Sequence, residues 1–299
     1  MAKQQIAIIG AGIGGLTLAA LLERAGFAPL IFEQAAKFAR VGAGIQLSPN
    51  PMKVMREIGL EPLLRQRGYD PEIFRSRQWD TGEVTNAFPK RGVCDAKYGA
   101  PYLMFHRGDV HDALAGIVPT SIIRFGRKLT GIDPGGPRVK LSFADGSTET
   151  VDAVVGADGV HSVVREKVVG PDKPRYTGRV GYRATFPVAL LKGAEIDENT
   201  KWWGPDRHLV HYYTNPRQDE IYFVTATPDA DFTIESWSSK GDLKELRAAY
   251  AGFHPKVQAI LNACPEVHKW ALVHHAPLPR WGEGRVVLLG DAEIGRAHV

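Results

Sequence analysis

The chain has 299 residues with 44% hydrophobic and 23% charged residues, enough apolar mass for one large domain or two ordinary ones, and it is excluded from the collagen-like and low-complexity classes. Lys and Arg number 37 against 33 Asp and Glu, and the resulting +4 is scattered; this gives no nucleic-acid footprint and suits small anionic ligands. The only two cysteines, Cys94 and Cys264, exclude a disulfide scaffold and point to a reducing, cytoplasmic setting.

The apolar run from Ile6 to Leu22 has the outline of a signal sequence. However, four of its seventeen residues are clustered glycines, and it falls short of a bilayer span. No membrane segment is therefore expected. Gln5 to Ile9 reads instead as a buried parallel strand, continuous and β-branched. It runs into Gly10-Ala11-Gly12-Ile13-Gly14-Gly15, which has the G-x-G-x-x-G spacing. Helical periodicity follows from Leu16 to Ala25, Gly26 closes the helix, and a second strand from Ala28 to Phe32 ends in Glu33. In that setting Gly10 permits the tight turn, Gly12 lets backbone approach a pyrophosphate, and Gly15 lets helix and strand pack closely. The helix N-terminus offers N–H groups to phosphate. Glu33, 23 residues after Gly10, can accept from a ribose 2′-hydroxyl and disfavours a 2′-phosphate, hence NADP, in this pocket. The fingerprint leaves NAD and FAD equally open.

Further along, Arg40-Val41-Gly42-Ala43-Gly44-Ile45 with Pro49-Asn50 forms a glycine-rich loop. Residues 70–100, with Trp79, Thr81-Gly82 and Phe88-Pro89, suit a hairpin. His106-Arg107-Gly108-Asp109-Val110 precedes a helical pattern, and Gly135-Gly136 reads as a turn. A buried strand from Ala153 to Val155 delivers Asp158-Gly159 to a turn, and Ser162 with Arg165 starts a helix. The runs Tyr182 to Val188, Leu209 to Thr214 and Ile221 to Thr227 are punctuated by Asn215-Pro216 and Thr227-Pro228, and predict an antiparallel sheet. A helical stretch from Asp242 to Cys264 is interrupted by Pro255. Arg285-Val-Val-Leu-Leu-Gly-Asp291 closes the series. Taken singly, Asp158 and Asp291 would be strand-end or helix-cap carboxylates and Arg107 a surface charge.

Taken together, in this order and over nearly the whole chain, the segments resemble class A flavoprotein aromatic hydroxylases. The resemblance implies an α/β fold: a Rossmann-like FAD-binding domain with an inserted antiparallel β-sheet substrate domain, as in p-hydroxybenzoate hydroxylase. It assigns 1–70, 101–175 and 281–292 to the FAD-binding domain and 71–100 and 176–280 to the substrate domain. It implies FAD contacts from Gly10, Gly12, Gly14, Gly15, Glu33, Gln34, Gln46, Arg107, Leu129, Asp158 and Asp291. No second G-x-G-x-x-G follows, so NADH would dock transiently. The implied activity is monooxygenation of a hydroxy-aromatic or N-heteroaromatic carboxylic acid by NADH and O2, with displacement of the carboxyl group in some members.

The segment 201–213, with Trp202-Trp203, Asp206-Arg207-His208 and Tyr212-Tyr213, is most similar to the salicylate hydroxylase and hydroxynicotinate monooxygenase branch. That likeness places His208 and Tyr212 near the substrate ring. Alternation puts His208, Val210 and Tyr212 on one strand face, with His211 and Tyr213 opposite. A hydroxylated ring must lose a proton to become electron-rich, so a His or Tyr in reach is useful; ordinary sheet packing is the competing account of both. Gln46 stands where the hydroxynicotinate branch carries a histidine thought to act as base. It can donate and accept hydrogen bonds but does not take a proton at neutral pH. No metal ligand is expected. Homodimerisation stays open, as do two rivals, an NAD-dependent dehydrogenase and an inactive flavin-binding fragment.

Residues 293–299, Glu-Ile-Gly-Arg-Ala-His-Val, depart from the family pattern after the Gly-Asp motif and correspond in one reading frame to a common short-read sequencing adapter. They are expected to be adapter read-through replacing a longer native end. That replacement would uncover the Val286 to Leu289 strand and weaken flavin retention.

Overall fold

The computed structural model describes residues 3–39, 43–232 and 239–294. They form two compact units. The first comprises the chain up to Ala39, His111–Arg175 and the chain from Val273 on; the second comprises 43–110 and Tyr176–Leu272.

The first unit is built on a six-stranded sheet in the order Gly282–Glu283, Val286–Leu288, Ala153–Gly156, Gln5–Ile9, Ala28–Phe32, Ile123–Arg124. Its pairings are parallel except between Gly282–Glu283 and Val286–Leu288. The sequence reads as continuous apolar strands because both faces are covered: Ala7, Ile8, Ile31 and Val154 have no exposed surface. The helix Ile13–Arg24 follows the first strand, as the fingerprint requires. The run that imitates a signal sequence is thus a strand, a turn and a helix. A three-stranded antiparallel sheet, Leu129–Asp133, Val139–Phe143 and Thr148–Val151, joins the same core, with Gly135-Gly136 in the turn between its first two strands.

The second unit carries a seven-stranded sheet in the order His268–His274, Arg175–Pro187, Glu220–Pro228, His208–Tyr213, Asn199–Trp203, Ile73–Gln78, Val84–Pro89. The three predicted β-runs are the strands Arg175–Pro187, His208–Tyr213 and Glu220–Pro228. The hairpin of residues 70–100 joins them through a parallel pairing of Ile73–Gln78 with Asn199–Trp203. The stretch from Asp242 to Cys264 is two helices, Leu243–Ala249 and Pro255–Ala263; Asp242 and His254 cap their N-termini by accepting from the N–H of Lys244 and Lys256. Pro255 opens the second helix, where its missing N–H costs nothing. Both helices cover one face of the sheet around Tyr250, Val257 and Leu261.

A two-stranded ribbon, Gly44–Leu47 against Leu103–His106, also belongs to the second unit. Segments 43–70 and 101–110 therefore pack with the larger sheet, whereas the family pattern groups them with the dinucleotide end. The reason is local: Ala43 and Met104 share an apolar cluster with Tyr212, Tyr222 and Trp270. No described helix is long and apolar enough to cross a membrane.

Candidate active site

In the first unit three motifs meet at the C-terminal ends of neighbouring strands, where open parallel sheets bind ligands. Gly10 has φ +102°, and a Cβ there would stand 2.5 Å from the Ala157 carbonyl oxygen and 3.3 Å from Asp158 Cα. Gly15 is closer still: its Cβ would come within 2.0 Å of the Gly10 carbonyl oxygen. Gly14 faces the Leu289 side chain, and the Leu289 N–H donates to the Gly156 carbonyl over 2.8 Å. The glycine turn thus touches both the Asp158 and the Asp291 segments.

Gly12 differs from its neighbours, because a Cβ there would meet nothing within 4 Å. It is the N-cap of a twelve-residue helix that has no side-chain cap and no acidic residue in its first turn. An open backbone face beside uncapped N–H groups is the cradle a pyrophosphate needs. Glu33 lies at the end of the adjacent strand, its two carboxylate oxygens accepting from the N–H of Ala11 and Ala35, each over 2.8 Å. Each oxygen keeps a lone pair for a ribose hydroxyl. This donor and acceptor set fits FAD. Gln34 is exposed beside it, while the Leu129 side chain is buried in the core with Phe32 and Phe143.

Asp158 accepts from Ser162 Oγ over 2.5 Å and from the Val164 N–H over 3.2 Å, so it caps the helix Val163–Val169 together with Ser162. Burial raises its pKa, partly opposed by those bonds. Asp291 starts the short helix Asp291–Ile294 after Gly290 at φ +66°. The same region holds a buried polar hub that local sequence patterns do not announce. Arg165, 1% exposed, donates to Asp172 and to the carbonyls of Ala276, Ala292 and Glu293. His275 bonds Asp172 and the Val160 carbonyl over 2.9 and 2.7 Å.

In the second unit Tyr212 and Tyr222 face one another across neighbouring strands and pack with Met104, Trp270 and Leu272. The ribbon approaches this wall so closely that a Cβ on Gly44 would lie 2.4 Å from the Tyr222 ring and 2.5 Å from Tyr212 Oη. Two residues on, Gln46 accepts from the Tyr102 hydroxyl on Oε1. Arg183 lies over the Trp270 ring, 4.7 Å from its centroid. Arg107 is exposed, and its N–H donates to the Ala43 carbonyl over 2.7 Å, tying the arginine segment to the glycine loop. Arg40, Val41 and Gly42 of that loop lie outside the described residues, as do residues 295–299 of the adapter-like stretch.

The structure therefore brings the ribbon that carries Gln46 against Tyr212. His208 shares the strand face with Tyr212 but lies four residues away, roughly 13 Å along the strand, beside Trp203 at 5.6 Å between ring centroids. Burial, with Lys201 and Arg179 nearby, brings His208 down to about 4. Burial moves the Tyr212 phenol well above its ordinary value, so it remains a hydroxyl at neutral pH. Tyr222 was legible in principle, since a hairpin turning at Asn215-Pro216 pairs it with Tyr212. Tyr102 had no such signal.

His211, on the opposite face, is fully buried and accepts from Trp202 Nε1 over 3.3 Å. Burial lowers its pKa from 6.5 to about 4. The neutral ring therefore contributes fully above pH 6.5, and this stability is lost as pH falls toward 4, by about 3 kcal/mol in all. Urea midpoints are expected to fall across that interval, and His211→Gln to flatten the profile; equal slopes for both proteins would contradict it.

The family described as FAD binding domain matches residues 3–298. The chain is 47% identical to a 6-hydroxynicotinate 3-monooxygenase of Bordetella bronchiseptica, over 97% of this chain and 76% of that protein. It is 42% identical to the enzyme of the same name from Pseudomonas fluorescens, over 96% and 75% respectively. Among solved structures, HpxO of Klebsiella pneumoniae complexed with FAD and uric acid superposes with a TM-score of 0.86 at 25% identity, over 97% of this chain and 73% of that one. The chain thus spans about three-quarters of the length of these relatives. Fingerprint, Asp-Gly and Gly-Asp turns, aromatic wall and matched relatives converge: the chain belongs to the FAD-binding-domain family and is a class A flavoprotein aromatic monooxygenase.

Proposed function

We propose that this enzyme hydroxylates a hydroxylated N-heteroaromatic carboxylic acid of the 6-hydroxynicotinate type, using NADH and O2. The observation that carries the reading is the aromatic wall of Tyr212, Tyr222 and Trp270, with the Arg183 guanidinium over the Trp270 ring and Gln46 on the ribbon that meets the wall. Such a surface holds a flat ring and orients it by one polar substituent. The relatives at 47% and 42% identity bear the name of that substrate.

FAD, when bound, supplies the two-electron chemistry and the activation of oxygen. The chain's own residues hold it and orient the ring. In the first unit Gly10, Gly12, Gly14 and Gly15 would shape the phosphate turn, Glu33 would take the ribose, and Gln34, Leu129, Asp158 and Asp291 would supply further cofactor contacts; in the second unit Arg107 and Gln46 would be the residues that contact the cofactor. Tyr212 and Gln46 position the ring substituent, and His208 lines the same strand face. Buried aromatic side chains exclude water from the ring. In the overall reaction one atom of O2 enters the ring and the other leaves as water. NADH supplies two electrons, and the displaced carboxyl group leaves as CO2. The buried thiols of Cys94 and Cys264 suit a cytoplasmic setting.

The test is oxygen uptake and NADH oxidation by the FAD-loaded chain. Both are expected to rise on addition of 6-hydroxynicotinate, with one CO2 released per turnover. No stimulation by 6-hydroxynicotinate or related hydroxy acids would overturn the substrate class, and oxygen-independent turnover would point to a dehydrogenase. Hydroxylated product without CO2 would overturn the decarboxylation alone.

A further inference from the structure

A single row of side chains crosses the sheet of the second unit through the aromatic wall. Asn199 pairs directly with Tyr212, Tyr212 with Tyr222, and Tyr222 with Thr185. Residues directly opposite one another in antiparallel pairs share a face, so all four stand on the side of the wall. The first member of the row is unusual. Asn199 is 1% exposed, and neither its Oδ1 nor its Nδ2 has a hydrogen-bond partner among the described residues. Buried polar groups are nearly always paired, and one left unmet is destabilising unless a water or a ligand completes it.

The place of Asn199 in the row points to a ligand. Its Cβ and that of Tyr212 are about 5 Å apart, as in any directly opposed pair, so a flat ring held against Tyr212 lies next to its carboxamide. Tyr212 is closed over to a similar degree, 3% exposed, and a hydrogen bond made in such surroundings does not compete with bulk water. A carboxamide also carries a donor and an acceptor on one short side chain. It can donate to a ring nitrogen that has a lone pair or accept from a ring N–H, whichever the ligand presents. On a ring C–H it finds nothing to bond. The Thr185 hydroxyl at the far end of the row is also without a partner among the described residues, but it stands two strands from Tyr212, about 10 Å away, with Tyr222 between them.

We propose that Asn199 is a specificity-determining residue that reads the ring nitrogen, so that the site selects N-heteroaromatic hydroxy acids over their carbocyclic counterparts. This rests on the substrate class proposed above and narrows it. Asn199 takes no proton in either direction of its bond, so it acts on which ring is bound and not on how the ring is activated. The same assignment accounts for an unmet carboxamide beside an apolar cluster: its partner arrives with the ligand.

The experiment measures binding of two probes, 6-hydroxynicotinate and 4-hydroxybenzoate, to the FAD-loaded chain by titration calorimetry. Both acids carry hydroxyl and carboxylate para to one another, and they differ at one ring position, nitrogen in the first and C–H in the second. The unmodified chain is expected to prefer 6-hydroxynicotinate by roughly tenfold or more, because a site built to bond one group penalises the ligand that lacks it. Asn199→Leu, close to isosteric, should bring that ratio to about twofold or less by weakening 6-hydroxynicotinate binding. Comparing variant with parent cancels whatever the two acids differ by in water. The thermal midpoint without ligand should be unchanged or raised, since an unmet polar group gives way to an apolar one. Asn199→Ala serves where Asn199→Leu fails to fold, and Thr185→Val should leave the ratio as it is. An unaltered ratio in the Asn199 variant, a ratio lost in Thr185→Val instead, or equal binding of both acids by the unmodified chain would overturn the role of Asn199 while leaving a hydroxy-aromatic acid as substrate. Failure of the unmodified chain to bind either acid would overturn the substrate class and the role of Asn199 with it.

Discussion

Gly12→Ala and Gly15→Ala are expected to separate flavin binding from folding, although the two glycines lie three residues apart. A Cβ on Gly12 meets nothing within 4 Å, and its backbone, at φ −71°, suits alanine. Gly12→Ala should therefore keep its urea midpoint within about 0.5 kcal/mol. It should nevertheless lose FAD affinity by roughly tenfold or more, because the methyl group occupies the face on which phosphate approaches the helix N-terminus. Gly15→Ala places its Cβ 2.0 Å from the Gly10 carbonyl oxygen and 3.3 Å from the Ile8 side chain. The clash is with backbone, so strand and helix must separate, at a cost on the order of 3 kcal/mol. That variant should lose both stability and flavin. The check is absorbance near the flavin maximum after gel filtration, paired with urea denaturation. A Gly12→Ala protein that retains FAD as well as the parent would remove the open face from the cofactor site.

The second large effect is expected at Arg165. Its side chain is 1% exposed, and it ties the Asp172 carboxylate to carbonyls at Ala276, Ala292 and Glu293. Arg165→Met keeps much of the volume but leaves those acceptors without their common donor. Breaking a buried pair in this way costs about 3–5 kcal/mol. The segments released include the one after the Gly-Asp turn, so flavin retention should fall with stability. A loss below about 1 kcal/mol, typical of exposed pairs, would show that water replaces the guanidinium without difficulty.

The first unit was largely legible from the chain because its signals are local. Strand, glycine turn, helix and Glu33 fall within the first 33 residues, and each follows from periodicity or from steric permission at glycine. The Asp158 and Asp291 turns were recognisable by motif, but their meeting with the glycine turn was not. Contacts such as Gly10 with Ala157 join segments about 150 residues apart in sequence, and parallel pairing leaves no turn signal from which register can be read. Arg165 looked like an ordinary helix-start residue. Its burial depends on carbonyls supplied more than 100 residues later.

In the second unit, period-2 alternation placed Tyr212 and His208 on one face and His211 on the other, and the Asn215-Pro216 turn set the register that opposes Tyr212 to Tyr222. Alternation says which face a residue occupies but not what stands at each point along it. Packing decided that Gln46 meets Tyr102 and that the Gly44 ribbon meets Tyr212, while His208 lies beside Trp203. By itself, then, the sequence determined the dinucleotide fold, the flavin motifs and the strand faces, because backbone sterics and apolar periodicity act over a few residues. Tertiary structure alone decided which polar groups share a neighbourhood, because burial and hydrogen-bond direction are properties of segments brought together from distant parts of the chain.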